Sequence, residues 1–176
     1  MNEVIKKNAI NYGLIIGSFS ILLTTIIYSL NVELFLSGWI SFFKITVYLT
    51  LFILLLSKTK KELKGIFTFK DAFTTYFIAS VIGILLATLF EIILFNLIDP
   101  SLKETLKEMS IKFTAELLEK FGTPTSEINK AISEIEKTDQ FSLMKQVQGL
   151  FMYFLIAAIF GFILAAIFKS KTTEHN

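Results

Sequence analysis

Residues 8–32 contain no charged side chain, and within them 14–30 is apolar apart from a few hydroxyl-bearing residues. A run of this length matches the ~20 helical residues that cross the hydrocarbon of a bilayer. Three further runs repeat the pattern, so the sequence predicts spans at about 9–30, 37–57, 72–98 and 149–168. A secretory signal peptide would share the Lys6-Lys7 start of the first run. Its apolar core is only ~7–15 residues and ends at a small-residue cleavage site, which Tyr28-Ser29-Leu30 is not. The first run is therefore read as a retained span. With no water available to the backbone inside lipid, each span must satisfy its own polar groups as a helix.

Between the third and fourth spans the pattern changes. Over 99–148, Leu102, Leu106, Met109, Phe113, Leu117 and Phe121 recur at steps of three and four, which marks one helical face. Asp99-Pro100-Ser101 opens that helix: Pro suits the first turn, and Ser101 with Glu104 has the spacing of a capping box. Gly122 followed by Thr123-Pro124 stops it. A second amphipathic helix from about 126 to 137 carries Ile128, Ala131, Ile132 and Ile135. A third start at Thr138 or Asp139 is expected to run unbroken into the fourth span. Thr68 and Asp71 have capping-box spacing for the start of the third span.

Charge orients these elements. Lys6 and Lys7 precede the first span, Lys58, Lys60, Lys61, Lys64 and Lys70 fill the link between the second and third, and Lys169 and Lys171 follow the fourth. These places share one side only if there are four spans, and the positive-inside rule makes that side cytoplasmic. Residues 99–148 hold seven Lys against nine Asp or Glu, a balance suited to the outer side. The expected fold is all-α: a four-helix transmembrane bundle, N-in/C-in, with an extracytoplasmic helical hairpin between the third and fourth spans. The chain 1–176 is expected to form one integral membrane domain.

Composition narrows the chemistry. Hydrophobic residues make up 53% of the 176 residues, too many for an ordinary soluble fold. Without cysteine there is neither a disulfide nor a thiolate metal site, and the lone His175 in the tail supplies no histidine cluster. All 17 basic residues are Lys, so bidentate Arg clamps on phosphate or carboxylate are absent. A net charge of +2 with no basic, aromatic-interleaved stripe gives no nucleic-acid footprint. No P-loop, GxSxG or HExxH occurs. Glu104, Glu108, Glu116 and Glu119 alternate with Lys as a solvated helix face. The chain is read as a non-enzyme with no catalytic residue, cofactor or metal ligand.

Two constellations inside the spans stand out. Small residues recur every fourth position at Ala9, Gly13 and Gly17, at Ala79, Gly83 and Ala87, and at Ala157, Gly161 and Ala165. Such stripes let membrane helices approach closely, and the reading is internal packing, with a dimer interface as the alternative. Glu91 continues the third stripe-bearing face one step of four beyond Ala87, and Lys44 lies in the second span. Both sit about seven residues in from the outer end, roughly 10 Å at 1.5 Å per residue. An unpaired charge at that depth is costly, so a Lys44–Glu91 ion pair between the second and third helices is expected. Thr24, Thr25, Tyr28 and Tyr153 fall near the same depth and complete a possible polar pocket.

The opening Asn8-Ala9-Ile10-Asn11-Tyr12-Gly13-Leu14-Ile15-Ile16-Gly17 resembles domain-of-unknown-function family 4199, as do residues 64–73, the stretch from Asp99-Pro100, and the last span with its preceding Gln148-Gly149. The resemblance covers nearly the whole chain. It implies a four-span bacterial membrane protein, typical of the Bacteroidota, and with the topology above the expected location is the bacterial inner membrane. No family activity is established, so it implies no catalytic residue. The partners expected are the lipid bilayer and another membrane or envelope protein, or a second copy of the chain in a homo-oligomer. The leading functional reading is a non-enzymatic, envelope-associated protein that docks a partner through its outer helices. The alternative is a small transporter or channel subunit using Lys44 and Glu91.

Overall fold

The computed structural model describes residues 1–139 and 141–170; Lys171 and His175 lie outside the described residues. Helix α1 (Glu3–Leu30) is capped by the Asn2 side chain, which accepts from the Val4 N–H. It starts one to two turns before the charge-free run, because Asn2 and the acidic Glu3 both suit the positive end of a helix. A 3-10 turn (Val32–Leu36), capped by Asn31, leads into α2 (Gly38–Glu62).

Helix α2 ends in a six-to-one closure in which the Gly65 N–H donates to Lys60 O and the Lys64 N–H to Lys61 O. That closure places Lys64 at φ 53° and Gly65 at φ 83°. Helix α3 (Phe69–Ile93) begins with the reciprocal Thr68–Asp71 capping box that its sequence predicts. A π turn (Leu94–Ile98) prolongs it. Then follow α4 (Leu102–Lys120), α5 (Thr125–Lys137) and α6 (Leu143–Phe168).

Four of these helices, α1, α2, α3 with its π turn, and α6, are long and apolar enough to cross a membrane. Two local expectations are corrected. Ser101 makes no side-chain cap bond. Its hydroxyl donates instead to Asp99 Oδ1 at 2.5 Å, because a neighbouring carboxylate outcompetes a backbone N–H that sits further along the turn. Helix α6 begins at Leu143, later than Thr138 or Asp139. Asp139 spends its carboxylate on an Asx turn that accepts from the Phe141 N–H at 3.1 Å, and Ser142 becomes the cap.

Helix α3 is central, packed along α1 on one side and α6 on the other, with α2 leaning on α1 and α3. The small-residue stripes lie at these contacts. A β-carbon on Gly13 would stand 2.8 Å from Ile82 Cβ and 3.0 Å from Ala79 O, and one on Gly17 2.6 Å from Leu86 Cδ1. In return, one on Gly83 would stand 2.7 Å from Ile16 Cγ2, so α1 and α3 interlock knob to groove. On α6, Gly161 makes room for Tyr76 and Phe73 of α3. Ala9, Ala79, Ala157 and Ala165 are buried in the same seams, while Ala87 is half-buried. Without a hydrophobic drive between helices in lipid, this close van der Waals contact supplies the association.

Both described chain ends lie at the end of the bundle that carries the α2–α3 loop. The buried Asn8 donates from Nδ2 to Glu62 Oε2 (2.7 Å) and Thr59 Oγ1 (3.3 Å). Ser170 donates its N–H to Phe67 O (2.7 Å), while its hydroxyl accepts from the Phe67 N–H (2.8 Å) and donates to Gly65 O. Lys60 Nζ reaches the α6 terminus, donating to Phe168 O at 2.9 Å. At the opposite end, Leu94, Phe95, Leu102 and Leu106 form a second core that seats α4 against the bundle. A closure in which the Thr123 N–H donates to Leu118 O and the Gly122 N–H to Glu119 O, with Gly122 at φ 70°, then turns the chain back into α5.

Candidate functional site: a polar cavity among the spanning helices

Helices α2 and α6 touch little, and the gap between them is not filled. A cavity of about 280 Å³ lies there, floored by α1 and α3. Each helix contributes residues at helical spacing. Lys44, Tyr48 and Phe52 come from α2, and Ile16 and Ser20 from α1. Tyr76, Ser80, Gly83, Ala87, Thr88 and Glu91 form the α3 wall, and Tyr153, Ala157 and Phe160 the α6 wall. Steps of three and four stack side chains on one helix face, which is why one stripe delivers both the glycine groove and the carboxylate.

The polar groups divide into settled and unsettled ones. Ser20 has one proton and donates it to Ile16 O at 2.8 Å, so Tyr48 donates its own to Ser20 Oγ at 2.7 Å. The Tyr48 ring is held edge-on to Phe19 at 5.8 Å. Ser80 donates back to Tyr76 O at 3.0 Å, and the Tyr76 ring packs on Phe52 at 4.3 Å. Lys44 Nζ stands 5.8 Å from the Tyr48 ring centroid, a cation–π distance.

Lys44 and Glu91 therefore line one cavity, but among the described residues no contact within the 4.0 Å ion-pair limit joins them. Each is half-buried. The expected direct pair is thus a pair of opposite charges facing a common space. The physical reason lies in α2: the half before Phe52, which carries Lys44, has no buried residue, whereas Leu55, Leu56 and Thr59 beyond it are packed into the bundle, and α2 is the least buried of the four spans.

Of the other residues expected near this depth, Tyr153 lines the cavity and Thr24, Thr25 and Tyr28 do not. Thr24 is buried in α1, Thr25 donates to its own helix at Ile21 O, and Tyr28 donates to Asp99 Oδ2 at 3.1 Å. Sequence reasoning missed Ser20, Tyr76, Ser80 and Thr88. Their position on the Lys44- and Glu91-bearing side depends on how the helices rotate, although the spacing of Tyr76, Ser80 and Thr88 by four and eight was there to be seen.

A second space of about 320 Å³ lies toward the α4–α5 end. Thr88, Glu91 and Tyr153 line both spaces, and Ser110, Lys145 and Gln146 line the second alone. Gln146 donates from Nε2 to Phe141 O at 2.7 Å, while its Oε1 is buried without a donor. Among the described residues no group of three or more His, Cys, Asp or Glu is placed to hold a metal ion.

The fold and this cavity define the class: a multi-pass helical membrane protein with opposite charges inside its bundle. The chain belongs to the family described as protein of unknown function DUF4199, whose model matches residues 11–170. No curated protein and no solved structure matches it.

Proposed function

We propose that this is a non-enzymatic protein of the bacterial inner membrane that binds a small charged ligand in the cavity between α2, α3 and α6, as a transport or carrier subunit. The observation that carries this reading is the pair Lys44 and Glu91, which line one space with no ion-pair contact between them. Intramembrane charges mark substrate or ion pathways. A binding role fits better than catalysis, because Glu91 has no nucleophile or acid–base partner in hydrogen-bond reach among the described residues. The cavity is closed toward the terminal end by the Leu56, Phe67, Tyr76 and Ala165 core, so one copy encloses no through-pore and an oligomer or a moving wall is required for transport.

Orientation follows the lysines. The end that carries Lys58, Lys60, Lys61, Lys64 and both described chain ends is cytoplasmic by the positive-inside rule, and the α4–α5 hairpin is extracytoplasmic. The test is labelling of Glu91 by a hydrophobic carbodiimide in purified, delipidated protein. Bacterial extract is expected to protect Glu91; labelling unchanged by either the lipid or the soluble fraction refutes the reading.

A second reading is supported by the hairpin. On α4, Leu102 and Leu106 are buried, while Phe113, Leu117 and Phe121 further along remain exposed. A partner in the envelope would cover them. Phe113→Ser with Leu117→Ser is then expected to abolish co-purification of that partner without loss of folding, and unchanged co-purification rejects docking there. Leu106 is unsuited to the same test, since it belongs to the core.

A further inference from the structure

We infer that the cavity holds the headgroup of a zwitterionic aminophospholipid, phosphate toward Lys44 and ammonium toward Glu91, with its acyl chains leaving between α2 and α6. This rests on the ligand-binding reading above and names its ligand class.

Three observations carry it. First, the cavity opens sideways. Tyr153, Ile156 and Phe160 line it, yet they are 53%, 44% and 54% exposed. They lie in the interior of a spanning helix, where the surroundings are lipid chains. A ligand can therefore enter from the bilayer without crossing the polar interface.

Second, the charges are opposite and share one lining. A purely anionic headgroup would satisfy Lys44 and bring a second negative charge beside Glu91. A simple cation would do the reverse. A zwitterion answers both, and desolvated charges need such partners. The ammonium type matters as well. A primary ammonium has three N–H donors, and the cavity that Glu91 lines is lined also by Thr88 on the same helix and Tyr153 on the facing α6 wall, two residues whose hydroxyls are able to accept. A quaternary ammonium has no N–H to offer them.

Third, the volume discriminates. About 280 Å³ is just below the ~300–1,000 Å³ of ligand pockets. It admits a headgroup and excludes two acyl chains, which the lateral gap leaves in the membrane.

The test uses the purified full chain in mild detergent, titrated with phosphatidylethanolamine, phosphatidylcholine, phosphatidylglycerol or soluble glycerophosphoethanolamine. Bound lipid is read by native mass spectrometry and Glu91 protection by carbodiimide labelling. Phosphatidylethanolamine is expected to bind and protect best. Glu91→Gln is expected to weaken it on the order of tenfold, the loss of one charge-assisted hydrogen bond, and to leave phosphatidylglycerol binding unchanged or stronger. Lys44→Met should weaken both phospholipids.

Equal binding of the three phospholipids by the wild-type chain overturns the proposal, and that comparison needs no variant to fold. Protection by glycerophosphoethanolamine at the same concentration assigns the site to a soluble zwitterion and overturns the lipid. Protection by the soluble extract with none by any phospholipid leaves the ligand-binding reading standing and removes the lipid. Protection by nothing removes both.

Discussion

Glu91 on α3 and Tyr153 on α6 stand on the wall common to the cavity and to the space beneath the α4–α5 hairpin. Whatever passes between the two spaces passes them. The chain has no cysteine of its own, so Ala87→Cys would put a single thiol in the cavity lining. That thiol is expected to react with a small polar thiol reagent applied to the hairpin face of proteoliposomes, and Tyr153→Trp should slow the reaction. A rate that ignores Tyr153→Trp would show that the reagent enters another way.

The α1–α3 seam is expected to be intolerant of a single methyl group. Gly13→Ala would press a β-carbon on Ile82 Cβ and the Ala79 carbonyl, neither of which is the movable end of a side chain. A loss of about 1–3 kcal/mol is expected, the usual scale of overpacking. Gly38→Ala has nothing within 4 Å and should be neutral. Thermal unfolding in detergent compares the two, and equal effects would contradict the interlocked seam.

Asn8 is 1% exposed and joins α1 to α2 through Glu62 and Thr59. Removing a hydrogen bond to a charged group costs about 1.5–3 kcal/mol, so Asn8→Ala should destabilise by that order. Glu62→Gln, which keeps an acceptor at the same place, should cost less. The same unfolding assay distinguishes them.

Asp99 introduces a pH dependence at the hairpin end. Its carboxyl is held below the ordinary aspartate value first by the Ser101 hydroxyl, then by the Tyr28 hydroxyl and by the backbone N–H groups of Leu102 and Ser101, against a desolvation that acts the other way. Because the folded value is lowered, the stabilisation is complete above the unfolded value of about 3.9 and is lost as pH falls through the folded value beneath it. Amide exchange at the start of α4 is expected to be constant from pH 7 to about 5, after correction for intrinsic rates, and to rise below about pH 4. Tyr28→Phe should bring that rise to a higher pH. A rise already complete at pH 5 would be inconsistent with a lowered carboxyl.

At the terminal end, Lys60 places its cation on the Phe168 carbonyl, where a helix terminus is negative. Such a contact contributes about 0.3–1 kcal/mol. Lys60→Met should speed amide exchange over the last turn of α6 and leave α1 unaffected. Uniform acceleration in both helices would mean that Lys60 acts on the whole bundle.

The parts of this protein legible in sequence are those decided within a few residues. The Thr68–Asp71 box, the Gly122 stop and the apolar runs are local, and the helices start, turn and extend where those residues say. The Ser101–Glu104 spacing is local too, yet it misled, because Asp99 two residues away competes for the same hydroxyl. The start of α6 shifted for a similar reason at Asp139.

By itself the sequence determined the number and extent of the apolar helices, the hairpin between the last two, and the presence of one cation and one carboxylate at comparable depth. Those follow from length, hydropathy and spacing along a single axis. Only the tertiary structure decided what faces what: that Gly13, Gly17 and Gly83 interlock, that Asn8 finds Glu62 across 54 residues, and that Lys44 and Glu91 look into a cavity. Helix rotation and splay are set by side-chain fit across seams, a property of pairs of helices that no single helix's sequence carries. In lipid, where apolar surfaces are equally content against acyl chains or against each other, that fit chooses which faces close and which, between α2 and α6, stay open.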